Sequence, residues 1–345
     1  MSAERTSSLL NTSPAEGPRV ACLYKYVVIT PARNEESYIE GALRSMTAQT
    51  VPPVKWVIVS DGSTDRTDEI VAGYAREHPW IQLLRRPKQE GRSFASKAHA
   101  ISEGYATLSK LEYDVIANLD ADVSFEPDYF EFLLGKFAQN SRLGMAGTTF
   151  KDPAFQYDYR FTSIDHVAGP CQLFRRQCYE SIGGYVPVKG GGIDVIAVLT
   201  AQMRGWETRT FPEKFYIHHR EMGTAKAGSV MAKFKDGHKD YTLGSHPLWE
   251  VCRVTYQMTR KPFVVGGIAL FAGYLWCGLR RVQRPISKEL MHFRRKDQMR
   301  RLRTFCKRLL FWSSAAGDQS LQRRIGSECC AEFVAAQMYF YNASF

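Results

Sequence analysis

Asp120-Ala121-Asp122 closes an apolar run, Val115-Ile116-Ala117-Asn118-Leu119. A buried strand that delivers two carboxylates to its carboxyl end puts negative charge at the mouth of an open α/β sheet, where ligands bind. Two carboxylates there can hold a hard divalent cation through oxygen, with a phosphate on the cation's far side. A D-x-D alone is also a common acidic turn ahead of a helix, so its meaning depends on its company. Three segments supply that company: Thr30-Pro31-Ala32-Arg33-Asn34-Glu35-Glu36, Ser60-Asp61-Gly62-Ser63-Thr64-Asp65 and Gly190-Gly191-Gly192-Ile193-Asp194. Asp61 can accept from a base N–H, although Asp-Gly is also a turn pair. Asp194 can take the proton of an attacking hydroxyl, the work of a general base, although an Asp also caps a helix well.

The elements that must position these residues follow from hydrophobic periodicity. Tyr24 to Ile29 reads as a buried strand that stops at Thr30-Pro31. Asn34 can cap the next helix, in which Ile39, Leu43 and Met46 share one face. Val54 to Val59 is a second strand, and Thr64 or Asp65 starts the helix carrying Ile70, Val71 and Tyr74. Ile81 to Leu84 (strand), Ser93 to Leu108 (helix), Val115 to Leu119 (strand), Asp128 to Gln139 (helix) and Leu143 to Phe150 (strand) continue the alternation. This pattern predicts an α/β fold with a doubly wound, mostly parallel sheet. From Asp152 to Phe211 the pattern is mixed, with a helix over Val195 to Arg204, and reads as the acceptor side of the same domain.

The net charge of +11 resembles a nucleic-acid signal until it is mapped. Residues 280–308 hold twelve Arg or Lys against Glu289 and Asp297, a net of +10, so the rest of the chain sums to about +1. Basicity confined to one tail points away from a nucleic-acid enzyme, in which charge is spread across the working face, and no nucleic-acid partner is expected. The eight cysteines form no C-x-x-C, so neither a zinc knuckle nor a disulfide framework is indicated. Residues 1–22 are rich in Ser, Thr, Pro and Glu, lack the apolar core of a signal peptide, and read as a disordered arm.

The four segments, in this order and at this spacing, resemble the family 2 glycosyltransferases of the GT-A fold over roughly residues 24–222. The resemblance implies an inverting enzyme using a nucleotide-sugar donor, a UDP-sugar first of all, with Mg2+ or Mn2+ as cofactor. It implies that Asp122 binds the metal directly and that Asp120 faces the ribose or a bridging water. Asp61 would read the base in a pocket framed by Pro31, Ala32 and Glu35, and Asp194 would be the base. The family usually writes that last site Glu-Asp; here it is Ile193-Asp194. Arg92 and Lys97 match the basic residues near the pyrophosphate. One of His218 and His219 would be a third metal ligand; alternation along a strand lets only one face inward, and His219 is taken as that residue. Gln202-Met203-Arg204-Gly205-Trp206 is similar to the Q-x-x-R-W of processive synthases, but at a different spacing, so Trp206 reads as core or an acceptor wall.

Phe263 to Leu279 is uncharged over 17 residues, at the lower limit for a membrane span. Arg260-Lys261 precede it and Arg280-Arg281 follow it; Leu302, Phe305, Leu309 and Trp312 then line one side of a basic amphipathic helix. The domains expected are the arm over 1–22, a catalytic domain over 23–225, a connection over 226–262, a re-entrant or interfacial apolar helix over 263–279 and a basic helical tail over 280–345. This organisation predicts a protein held at an anionic membrane surface on the cytoplasmic face, where nucleotide-sugars are found. The acceptor would be a lipid-linked saccharide or a polysaccharide. Two alternatives stay open: transfer to a polyprenyl phosphate itself, and a non-catalytic nucleotide-sugar-binding protein. A sugar-nucleotide pyrophosphorylase would need a Gly-rich basic loop after the first strand, where this chain has Pro-Ala-Arg-Asn-Glu-Glu.

Overall fold

The computed structural model describes residues 24–87, 94–152, 163–220 and 229–315. The arm over 1–22, Arg92 and residues 316–345 of the tail lie outside the described residues. In chain order the first half comprises β1 (Tyr26–Ala32), α1 (Ile39–Thr47), β2 (Lys55–Asp61), α2 (Thr67–Glu77), β3 (Ile81–Arg86), α3 (Phe94–Thr107) and β4 (Val115–Leu119). β1, β2 and β4 are almost wholly buried, as continuous apolar runs must be when helices cover both faces of a sheet. Alternation along each strand feeds two cores. Val28, Trp56, Ile58 and Ala117 face α1, whose Ile39, Leu43 and Met46 are fully buried. Val27, Ile29, Val57, Val59 and Ile116 face α3, where Gly104 lets that helix approach Ile29 and Val59.

The second half adds β5 (Val123–Phe125), α4 (Tyr129–Gln139), β6 (Leu143–Lys151), β7 (Cys171–Arg175), α5 (Arg176–Ile182), α6 (Ile193–Met203) and β8 (Glu207–His218). The strand order is β3-β2-β1-β4-β7-β6-β8-β5. The pairs β1–β2, β2–β3, β1–β4 and β6–β8 are parallel; β4–β7, β6–β7 and β5–β8 are antiparallel. The doubly wound α/β half is therefore as expected, and beyond β4 the mostly parallel sheet becomes a mixed one. β5 has only three residues, and β7 lies within the stretch of mixed pattern, so neither stands out by periodicity.

Four helices follow: α7 (Ser229–Thr242), α8 (Pro247–Met258), α9 (Phe263–Leu279) and α10 (Lys288–Ala315). α7 and α9 meet backbone to backbone. A Cβ on Gly237 would lie 1.9 Å from the Leu270 carbonyl oxygen, and one on Gly273 2.0 Å from that of Phe234, so only glycine fits at either position. Asp240 of α7 is buried between Arg253 of α8, at 3.2 Å, and Arg294 of α10, at 3.8 Å. The first half of α10 is thereby anchored to the preceding helices. Leu290, Arg294 and Gln298 form a buried face packed on the domain, and the exposed basic residues line the other side. No described helix is long and apolar enough to cross a membrane.

Candidate active site at the carboxyl ends of the strands

Parallel pairing places Pro31 beside Val59 and Ala32 beside Ser60, so the ends of β1 and β2 form one rim. The loops beyond them are tied together. Asn34, at φ 56°, accepts from the Thr64 N–H at 2.8 Å, and Glu36 accepts from the Arg66 N–H at 3.0 Å. Asn34 thus braces the rim and does not cap α1, whose cap residue is Tyr38. Asp61 ends β2 directly across from Arg86, the last residue of β3. Arg86 donates to Asp61 at 2.7 Å, and Arg33 stands 3.7 Å from its other oxygen. Arg86 also reaches Glu103 at 2.8 Å. Sequence reasoning missed Arg86 because the predicted strand ended at Leu84.

β4 delivers Asp120 and Asp122 to the same rim. Lys97, near the start of α3, lies 2.5 Å from Asp120. Burial lowers the Lys97 ammonium's pKa, but Asp120, Asp194 and Asp122 outweigh it and hold it above the ordinary value. Asp120 is raised by burial and by Asp122, against the pull of Lys97. Asp122 meets two residues that the sequence reading did not assign there. His218 ends β8 and pairs with Val123, which brings its Nε2 to 3.5 Å from Asp122 Oδ1. Arg220 stands 3.3 Å from Asp122 Oδ2 and also pairs with Glu35, so Glu35 links the base-side rim to the D-x-D. His219, expected at the site, is exposed and bonds Ser124 Oγ at 2.8 Å. Alternation puts the other histidine inside, and His218 Nδ1 is backed by Asp152 at 3.3 Å.

Asp194 reaches this place by a short chain of contacts. The Asp120 N–H donates to the Pro170 carbonyl at 2.8 Å. Gly169, one residue earlier, packs so tightly on Asp194 that a Cβ there would lie 3.2 Å from its carboxylate. Gly191 and Gly192, at φ 88° and 85°, turn the chain into α6 in a conformation that favours glycine, and Asp194 sits in the first turn. Lys239 of α7 lies over Gly192. Burial lowers its pKa against the opposing pull of Asp194. Burial likewise lowers His166 to about 4, with Asp194 opposing, so His166 is neutral. Trp206, read as core or an acceptor wall, packs against the core on Gly144 and bonds Ser181 at 3.1 Å.

Among the described residues no three His, Cys, Asp or Glu side chains stand together as a formed metal centre. The donors at the D-x-D nonetheless suit a hard divalent ion: carboxylate oxygens from Asp120 and Asp122, and an imidazole nitrogen from His218. Burial raises Asp120 first and Asp122 adds to it, and a bound cation would relieve that repulsion. Lys97 and Arg220 meet these carboxylates with positive charge.

The eight-stranded α/β sheet, with acidic residues gathered at the carboxyl ends of β2 and β4, has the GT-A fold of solved glycosyltransferases. Residues 27–188 match the model of Glycosyl transferase family 2. Over 136 residues it is 28% identical to a chondroitin synthase of Pasteurella multocida (strain Pm70), covering 39% of this chain and 13% of that protein. Over 188 residues it is 26% identical to the succinoglycan biosynthesis protein ExoA of Rhizobium meliloti (strain 1021), covering 46% of this chain and 52% of that one. The chain thus spans about half or less of the length of these relatives. A solved structure of similar fold is the mannosyltransferase PcManGT from Pyrobaculum calidifontis in complex with GDP-Man and Mn2+. Its TM-score is 0.51 at 17% identity, covering 95% of this chain and 90% of that one.

Proposed function

We propose that the protein is a metal-dependent inverting glycosyltransferase, moving a sugar from a nucleotide-sugar, a UDP-sugar first of all, to a hydroxyl of a lipid-linked or polysaccharide acceptor. One observation carries this reading. Asp120, paired with Lys97 at 2.5 Å, and Asp194, some seventy residues on, reach one rim: the Asp120 N–H donates to the Pro170 carbonyl at 2.8 Å, and Gly169 beside it packs on the Asp194 carboxylate. A site that brings donor-side and acceptor-side carboxylates together beside a lysine is suited to a diphosphate leaving group and an attacking hydroxyl.

In this reading Asp61, held in orientation by Arg86, accepts from the base N–H, and Pro31 and Ala32 form the pocket rim. Lys97 moves from Asp120 to the diphosphate as the donor enters. A divalent cation held by Asp120, Asp122 and His218 would supply Lewis-acid charge to the leaving diphosphate. Asp194 takes the proton of the acceptor hydroxyl as its oxygen bonds the anomeric carbon. The bond from that carbon to the phosphate oxygen breaks, and its electron pair leaves with the diphosphate. Direct displacement of this kind inverts the configuration. Ile193, where the family's usual acid is missing, leaves Asp194 as the base.

A thermal-shift screen of nucleotide-sugars with and without Mn2+ tests the reading. One donor should raise the unfolding temperature, and more so with the metal. No shift with any nucleotide-sugar would overturn it.

A further inference from the structure

The outward side of α9 is an uninterrupted apolar stripe. Its inward residues, among them Gly266, Gly267, Leu270, Gly273 and Tyr274, are buried against α7 and α8. On the opposite side Val264, Val265, Ile268, Leu275, Trp276 and Leu279 are all exposed, with Leu279 82% exposed. The spacing of these six keeps them on one helical face. α8 extends the surface with exposed Leu248 and Val251. Exposed cations stand at both ends: Arg260 and Lys261 before the helix, Arg280 and Arg281 after it. The Arg280 guanidinium lies over the Trp276 ring at 4.6 Å.

We infer that this face seats α9 in the plane of an anionic lipid surface, with the stripe in the acyl boundary and the four cations at the headgroups. The inference does not depend on the transfer chemistry proposed above. A helix of 17 residues is about 26 Å long, short of the hydrocarbon core, and one side of it is already occupied by protein. Spanning or re-entry would strip the helix from α7, where Gly237 and Gly273 bring the backbones into contact. Lying flat keeps that contact and covers the exposed stripe. The charge at the ends decides between occupants. A second copy docked by two-fold symmetry sets the same patch against itself, and the four-cation rim repels itself. An anionic headgroup layer attracts it.

The test uses the full chain with phosphatidylcholine vesicles, with and without phosphatidylglycerol. The protein should sediment with the anionic vesicles and be released by salt. The double variant Ile268→Asn/Trp276→Ser should bind about tenfold or more weakly, with unchanged circular dichroism and unfolding temperature. Arg280→Glu/Arg281→Glu should lose the preference for the anionic lipid. Failure to sediment with either vesicle overturns the inference, as does binding untouched by both variants. A wild-type dimer that Ile268→Asn/Trp276→Ser converts to a monomer, without vesicle binding, also overturns it in favour of a second copy. The donor-induced thermal shift is read separately, so either proposal can fail without the other.

Discussion

His218 Nε2 faces Asp122 Oδ1 at 3.5 Å, while its Nδ1 is backed by the buried carboxylate of Asp152 at 3.3 Å. The first distance is at the long limit for a hydrogen bond; the two atoms face one point without bonding each other strongly. The second fixes the ring, as outer carboxylates do for metal-binding histidines. The structure therefore distinguishes two adjacent histidines that look alike in sequence.

His218→Ala should weaken Mn2+ binding by about ten- to a hundredfold, and Asp152→Asn should weaken it in the same direction. His219→Ala should leave it unchanged, because that ring is turned to Ser124. Calorimetric titration of Mn2+ checks all three without an activity assay. Equal losses at His218 and His219 would contradict the assignment.

Asp61 and Arg86 form an ion pair whose side chains are 7% and 3% exposed. Breaking a buried pair strands a charge, so Arg86→Met should cost about 3 kcal/mol. Arg33 remains 3.7 Å from Asp61 and limits the loss. Urea unfolding measures the cost. KM for the donor should rise as well, because Asp61 loses the group that aims it.

Much of this was legible in the sequence. Ile39, Leu43 and Met46 announced α1, and the apolar run ending at Leu119 announced β4 and the place of the D-x-D. What was not legible depends on pairing across the sheet. Arg86 matters because β3 runs beside β2 to the level of Asp61, and His218 because β8 returns beside the three residues of β5. Neither register has a local signature. Arg220 had no signal beyond its place after two histidines, since its partners Glu35 and Asp122 are far away in sequence. The apolar segment over 263–279 was visible; the glycine contacts that hold it flat against α7 were not.

Glu250 of α8 gives a pH dependence. Burial first, and then Asp240, push its carboxyl up to about 8 from the ordinary 4.5, with Arg253 and Arg294 opposing. The folded protein holds this proton where the unfolded chain has released it. The group's stabilisation is thus complete below about 4.5 and is lost as pH rises through about 8. Unfolding free energies across this range should fall more steeply for wild type than for Glu250→Gln. Parallel curves would contradict the assignment.

The central claim is that Asp194 takes the acceptor's proton at a site where donor and metal are held by other residues. The most direct measurement compares donor binding and sugar transfer in Asp194→Asn and wild type, with the same nucleotide-sugar and Mn2+. Calorimetry should give donor affinity within about twofold of wild type, and transfer should fall by about a hundredfold to ten-thousandfold. Near-normal transfer, or donor binding lost together with transfer, would contradict the account.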